Sequence, residues 1–265
     1  MLKLAEKYLR KDSLPLLFCP GCGNGQILNA FIRAIDDLGI RERIAAVSGI
    51  GCSSWIPVYL EIDVLHSLHG RALAFAQGLK LGHPEKKVVV FTGDGDCLGI
   101  GGNHLIHAAR RNIDLTVIMV NNFIYGMTGG QKAPTTPLGS LSKTSPHGNL
   151  ERPFDPCALA EVAGATYVAR WSTSHPVELQ RAIVDAISHR GFSFLEVMAQ
   201  CPVQAGKHIL KESDPWKMMQ WYKRSCSRHS GSGVDPLMVV GEFVNREEAE
   251  FCDLILAERK SQCEE

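Results

Sequence analysis

Two nearly unbroken apolar segments, VVVFT at 88–92 and LTVIMV at 115–120, leave this chain little choice of architecture. Strands so uniformly apolar are buried on both faces, as in parallel sheets covered by helices on either side. Between them, residues 100–112 have helical spacing, and Arg110 and Arg111 sit at the end of the helix where its dipole favours cations. The alternation extends both ways. Ile27, Leu28, Phe31, Ile32 and Ile35 recur at helical spacing up to a stop at Gly39, and 44–50 has the pattern of a buried strand. A helix rich in small residues (Ala72, Ala74, Ala76, Gly78) is expected over 70–82. Beyond the second apolar strand, a helix at 156–164, a strand near 166–170, a helix at 176–190 and a strand at 193–199 follow. This order predicts an α/β fold with a doubly wound, mostly parallel sheet.

Residues 129–155, rich in Gly, Pro, Ser and Thr, form a long loop of the kind that carries function. From residue 212 the alternation weakens into an arm containing Trp216, Trp221 and Tyr222, followed by a Ser/Gly hinge at 230–233. The expected organisation is one domain at 1–211 and a C-terminal arm at 212–265 that packs on the domain or on a partner.

Charge excludes one class of function. Lys plus Arg number 28 and Asp plus Glu 28, a net charge of 0, without the basic surplus that a nucleic-acid binder uses to replace counterions. No apolar run approaches a membrane span, and the first 18 residues interrupt their apolar positions with charges, unlike a signal peptide. A cytoplasmic protein is expected.

The chemistry begins where the two strands end. The first runs into Gly93-Asp94-Gly95-Asp96 and the second into Asn121-Asn122. In parallel sheets the carboxyl ends of the strands face one crevice. Glycines there let backbone approach a phosphate, and a carboxylate with an amide oxygen is a hard donor set for Mg²⁺, which takes its other ligands from phosphate and water. Asp94, Asn122 and the carbonyl of Ile124 could supply the protein's share. Two unrelated turns would be the simpler explanation. GDG followed by a helix, a strand and NN is, however, the diphosphate-binding signature of thiamine diphosphate enzymes.

Nine cysteines are the second anomaly. Cys19-Pro20-Gly21-Cys22 is a Cys-x-x-Cys unit in a tight loop, Cys52 lies in the glycine turn SGIGCSS, and Cys201 follows the strand FSFLEVMAQ. All four fall in loops that can converge on one object. Four thiolates suit Zn²⁺ or an iron–sulfur cluster, and spacing alone leaves cluster, zinc and no metal open. Cys157 and Cys252 lie in predicted helices, where a thiol behaves as a small hydrophobe; these two, Cys97, Cys226 and Cys263 are assigned no role.

Together, CPGCGNG at 19–25, SGIGCSS at 48–54, LHGRALAFAQGLKL at 68–81, GDGDCLGIGGNHLIHAARRN at 93–112 and NNFIYGMTGGQKAPTTP at 121–137 closely resemble the β subunits of 2-oxoacid:ferredoxin oxidoreductases, which use thiamine diphosphate and CoA. The resemblance is dense over 15–210 and implies the thiamine-diphosphate-binding type of doubly wound domain. It implies that Cys19, Cys22, Cys52 and Cys201 bind a [4Fe–4S] cluster and that Asp94, Asn122 and Ile124 hold Mg²⁺. It places Ile50, Gly51, Cys52, Ser53, Gly93, Gly95, Asp96, Asn122, Gly126, Met127 and Thr128 around thiamine diphosphate. His69 of the HGR segment is a further cofactor candidate from the start of a helix, with a loop-tying histidine as the alternative. His104 and His107, at i and i+3, have a structural role by the same precedent.

What the chain lacks also matters. A thiamine enzyme needs a second domain carrying the glutamate that activates the aminopyrimidine, and 265 residues do not contain both. The resemblance therefore implies an α partner subunit, with γ and δ subunits in some assemblies, and ferredoxin as the external electron carrier. The expected reaction is CoA-dependent oxidative decarboxylation of a 2-oxoacid, with 2-oxoglutarate to succinyl-CoA the leading candidate and pyruvate, branched-chain or aryl 2-oxoacids the alternatives. A lysine or arginine follows GCSS in part of the family and would meet a distal carboxylate; here Trp55 follows, as in other 2-oxoglutarate enzymes. Lys132 in TGGQK could attract CoA phosphates or a substrate carboxylate, against the plainer alternative of an exposed lysine. Two other classes compete: a non-redox thiamine decarboxylase subunit would not need the cysteines, and a zinc-stabilised scaffold would not need Asp94 and Asn122. Phe123, Tyr125 and Met127 are expected to form apolar surface that the partner covers.

Overall fold

In the computed structural model, which describes residues 2–229, 233 and 235–264, a short helix α1 (Leu2–Tyr8) precedes α2 (Gly23–Leu38), β1 (Ile44–Ser48), β2 (Asp63–His66) and α3 (Ala72–Gly82). Then come β3 (Lys87–Gly93), α4 (Gly102–Arg110), β4 (Leu115–Asn121) and a small hairpin of β5 (Ile124–Tyr125) and β6 (Gln131–Lys132). The chain continues through α5 (Pro156–Val162), β7 (Tyr167–Ser172), α6 (Pro176–Ser188), β8 (Phe192–Met198), α7 (Pro215–Ser225), β9 (Gly241–Asn245) and α8 (Phe251–Glu264).

Seven strands form one sheet in the order β2-β1-β3-β4-β8-β7-β9, with every pairing parallel except β7–β9. The predicted doubly wound α/β sheet is therefore present. Alternate residues of the central strands serve opposite layers, as a period of two demands. Val89 and Phe91 face α2 and α6, where Phe91 meets Phe31 edge to face at 4.9 Å. Val88 and Val90 face the layer of α3, α4 and α5. Gly39 ends α2 with a left-handed φ of 62°, its N–H donating to the carbonyls of Ile35 and Asp36. That conformation costs glycine nothing.

Three features were not visible in the hydropathy. β2 is an edge strand whose residues are largely exposed, so it lacks the apolar run that marks β3 and β4. The predicted helix at 100–112 begins only at Gly102, preceded by a widened π-type turn over Gly95–Ile100 that Asp94 caps. The C-terminal segment, expected as an arm, also supplies β9 to the sheet and Cys252 to its core. Residues 230–232 of the Ser/Gly hinge lie outside the described residues. Among the described residues, no helix is long and apolar enough to cross a membrane.

Because β1, β3, β4 and β8 run parallel and in close register, their carboxyl ends converge on one edge. Gly49-Ile50, Asp94, Asn122 and Cys201 all leave the sheet there.

Candidate functional site

At this edge a single cavity is lined by Ile50, Gly51, Cys52, Ser53, His69, Gly93, Asp94, Gly95, Asp96, Asn122, Ile124, Gly126, Met127 and Thr128. The structure thus brings together every residue that the sequence nominated for the diphosphate and its cation. Asn24, Val120 and Tyr125 line the same cavity and were not anticipated.

Asp94 is buried at the tip of β3. One of its carboxylate oxygens accepts from Gly95 N–H at 2.9 Å and the other from the Thr135 hydroxyl. Burial outweighs these bonds and pushes its carboxyl up to about 7. A carboxylate so desolvated is stabilised by a cation. Asn122 Oδ1 accepts from Ile124 N–H at 3.2 Å, closing the turn that brings Asn122 and Ile124 to the same cavity as Asp94. The donor set, one carboxylate and one amide oxygen beside a backbone turn, is oxygen-only and leaves most positions of an octahedron to other ligands, as Mg²⁺ requires. Asn24, in the first turn of α2, has a buried Oδ1 with no hydrogen-bond partner among the described residues. A buried polar atom left unpaired beside a cavity is suited to a polar ligand.

Asp96 behaves differently from its neighbour. Its carboxylate accepts from Ile50 N–H at 3.2 Å, Gly70 N–H at 2.7 Å, Thr92 Oγ1 at 2.7 Å and the His69 ring through Nδ1. It knots three loops rather than presenting free oxygens to the cavity. His69 is thereby both of the things considered for it: a loop-tying histidine and a cavity residue, its ring edge-on to Tyr125 at 6.1 Å.

Tyr125 explains two glycines. A Cβ on Gly95 would overlap its ring, and a Cβ on Gly99 would overlap its hydroxyl, which donates to Gly95 O at 3.0 Å. The four-residue spacing of these glycines, with a tyrosine three residues after Asn122, was the available signal. Phe123 does not offer surface to a partner as expected. Its φ of 65° turns the side chain inward against Met198, Tyr222, Met238 and Val240, leaving Met127 as the exposed apolar residue of the segment. Lys132 pairs with Glu151.

A second cavity, of about 370 Å³, adjoins the first. Cys19, Cys22, Cys52 and Cys201 all line it, together with Phe18, Trp55 and Gln204. Cys52, Asn122, Gly126 and Met127 line both cavities and form their common wall. Gly126 is placed so that a Cβ would stand 3.5 Å from Asn122 Nδ2, 3.7 Å from Cys201 Sγ and 3.9 Å from Cys52 Sγ. Burial, with lesser repulsion from the other sulfurs, pushes the Cys22 thiol up to about 12 and the Cys52 thiol up to about 11. Thiolates there call for a positive centre. Pro215 of α7 lies against Gly21, so the C-terminal segment touches the Cys-x-x-Cys loop, whose Cys19, Pro20 and Gly21 stay exposed.

Comparison with known proteins agrees with this geometry. Residues 49–197 match the family described as thiamine pyrophosphate enzyme, C-terminal TPP binding domain. The chain is 52% identical over 256 residues to 2-oxoglutarate synthase subunit KorB of Methanothermobacter thermautotrophicus, covering 94% of this chain and 89% of that one. It is 45% identical over 200 residues to the 2-oxoacid:ferredoxin oxidoreductase subunit beta of Saccharolobus solfataricus, covering 74% and 66%. Among solved structures, the 2-oxoglutarate:ferredoxin oxidoreductase from Magnetococcus marinus, with 2-oxoglutarate, coenzyme A and succinyl-CoA bound, superposes with a TM-score of 0.85 at 33% identity, covering 97% of this chain and 90% of that one.

Proposed function

The chain belongs to the β subunits of the 2-oxoacid:ferredoxin oxidoreductases, and from that premise we propose that it serves the CoA-dependent oxidative decarboxylation of 2-oxoglutarate to succinyl-CoA. The observation that carries this reading is the common wall. The cavity that would take thiamine diphosphate and the four-cysteine cavity meet at Cys52, Asn122, Gly126 and Met127, so a redox group held by the cysteines would neighbour the cofactor. A decarboxylase without redox chemistry would have no use for that arrangement, and a zinc scaffold would have no use for the buried Asp94.

Thiamine diphosphate, when bound, supplies the electron sink that lets a 2-oxoacid lose CO₂. In this reading Asp94, Asn122 and the Ile124 carbonyl hold Mg²⁺ against the diphosphate. Ile50 to Ser53, Gly93, Gly95 and Gly126 to Thr128 form the cofactor's walls, and Asp96 acts on it chiefly by fixing His69 and the Ile50 amide. Cys19, Cys22, Cys52 and Cys201 would hold a [4Fe–4S] cluster, which would supply one-electron transfer towards ferredoxin. Residues 1–211 are the cofactor unit. The arm at 212–265 touches the Cys-x-x-Cys loop at Gly21 and completes the sheet edge.

An α subunit completes the enzyme, as the β designation of the relatives implies. It brings the aminopyrimidine-activating carboxylate, with γ and δ subunits joining in some assemblies. The relatives named for 2-oxoglutarate favour that substrate. Trp55 lines the cysteine cavity, so the cation for a distal carboxylate comes from another position.

The test is a substrate panel on the anaerobically co-purified complex, following CoA-dependent viologen reduction alongside the visible spectrum. Preference for 2-oxoglutarate with iron-dependent absorbance is expected. A colourless, zinc-containing complex would discard the redox reading, and preference for pyruvate or an aryl 2-oxoacid would discard the substrate.

A further inference from the structure

Behind the turn that carries Asn122 lies a buried ion pair with no part in the site described so far. Arg170 and Glu196 are register partners on β7 and β8, each about 1% exposed, with Arg170 Nε donating to Glu196 Oε2 at 2.6 Å. Breaking such a pair costs more than the pair contributes, so its presence asks for a reason beyond stability. The other carboxylate oxygen gives one: Glu196 Oε1 accepts from Asn121 Nδ2 at 2.7 Å.

An amide side chain has a donor end and an acceptor end, while a carboxylate paired with arginine only accepts. Glu196 therefore dictates which way Asn121 points. With Nδ2 committed to Glu196, Asn121 Oδ1 faces the Phe123 N–H and accepts from it at 3.0 Å. Phe123 has a φ of 65°, a conformation that a bulky L-residue adopts only where its surroundings over-determine it. Here they do: its N–H is held by Asn121, its carbonyl accepts from Thr136 Oγ1, and its ring is packed against Met238 and Val240 of the arm. The next residue is Ile124, whose N–H closes on Asn122 Oδ1.

We propose that Glu196, oriented by Arg170, is a positioning residue for the cation-binding turn, fixing the Asn121 amide so that Phe123 is left-handed and Asn122 and Ile124 face Asp94. Arg170 also donates to the Val239 carbonyl at 3.2 Å, so the arm braces the turn through Arg170 as well as through the Phe123 ring. The proposal rests on the reading of Asp94, Asn122 and Ile124 as the cation site.

Polarity reversal tests it. Glu196→Gln opposes an amide donor or misaligns Arg170, and Asn121→Asp opposes two carboxylates. The double variant restores every bond, with the new glutamine amide donating to the new aspartate while that aspartate still accepts from Phe123 N–H. Thiamine diphosphate binding to the co-purified complex is measured by calorimetry as Mg²⁺ is titrated, alongside the thermal midpoint. Each single variant should raise the Mg²⁺ concentration for half-saturation by about tenfold or more, as outer-shell changes do, and the double should return within about threefold. Folded single variants with unchanged Mg²⁺ dependence, or a folded double that fails to recover, would overturn the proposal. If the charged variants do not fold, Asn121→Ser replaces the amide with a shorter hydroxyl that can still accept from Phe123 N–H but no longer reaches Glu196; it should shift the Mg²⁺ requirement the same way, and an unshifted curve would again overturn the proposal. Asp94→Ala separates the two readings. If it binds the cofactor normally, the cation site itself is misassigned; if it fails while the Glu196 and Asn121 variants bind normally, only the positioning role falls.

Discussion

Cys52 and Asn122 stand in one partition: each lines both the cysteine cavity and the diphosphate cavity, with Gly126 between them. The residue at the end of one apolar strand and the thiol in the turn after another thereby border both cavities at once. The two roles can be separated by mutation.

Cys52→Ser should lower or abolish the bound iron and stop ferredoxin reduction, while thiamine diphosphate, held mainly by oxygen ligands, is retained. Cys157→Ser and Cys252→Ser should leave iron unchanged, because both thiols are packed in the core on the far layer of the sheet. Iron content per chain after anaerobic purification decides this, and loss of iron with Cys157 or Cys252 instead of Cys52 would refute the ligand set.

Asp94→Ala and Asn122→Ala should do the converse. If these oxygens hold Mg²⁺, removing either donor would leave the diphosphate without its cation, so cofactor content should fall to near background with the visible spectrum preserved. Normal cofactor content in both variants would remove Asp94 and Asn122 from the cation site.

Two glycines should respond oppositely to the same methyl group. Gly95→Ala drives a Cβ into the Tyr125 ring, and overpacking of this kind costs about 1–3 kcal/mol. At Gly126 the added methyl meets Asn122 Nδ2 and two sulfurs only at van der Waals distance. Gly126→Ala should therefore fold with near-normal stability yet lose iron, because the methyl would occupy space that a cluster on Cys52 and Cys201 needs. Denaturant midpoints and iron assays on the two variants distinguish them.

Lys80 offers a pure stability test away from the site. Only 3% exposed, it donates to Pro84 O at 2.9 Å, Lys86 O at 2.8 Å and Asp114 Oδ2 at 2.6 Å. Lys80→Ala leaves Asp114 buried with its remaining cation, Lys87, at 3.8 Å. The expected loss is about 3 kcal/mol, the low end for breaking a buried pair, because Lys87 compensates in part. Equilibrium urea unfolding measures it, and a change below about 1 kcal/mol would show the pair to be solvated.

The chain purified alone should lack CoA-dependent 2-oxoacid oxidation even when supplied with thiamine diphosphate, Mg²⁺ and an intact cluster, and should gain it with the α subunit. Met127, about half exposed on the cavity rim, is the residue whose protection from oxidation should accompany assembly. Full activity from a verified partner-free chain would end the half-enzyme reading.

The sequence by itself determined the sheet, both motif tips and the four loop cysteines. Continuous apolar runs such as 88–92 can be satisfied only by burial on both faces, and parallel strands then force Asp94 and Asn122 to one edge. Periodicity carries that information because it is local. Tertiary structure decided the rest. Nothing in the pattern of Asp94 and Asp96 foretold that one would meet only the Gly95 amide and the Thr135 hydroxyl while the other spent its carboxylate on Ile50, Thr92, His69 and Gly70. Nor could hydropathy find β2, which lies exposed at the sheet edge, or assign the inward turn of Phe123 to Asn121 and, behind it, to Glu196. Such assignments depend on which hydrogen-bond partners from distant strands arrive at one point, and only the closed sheet brings them there.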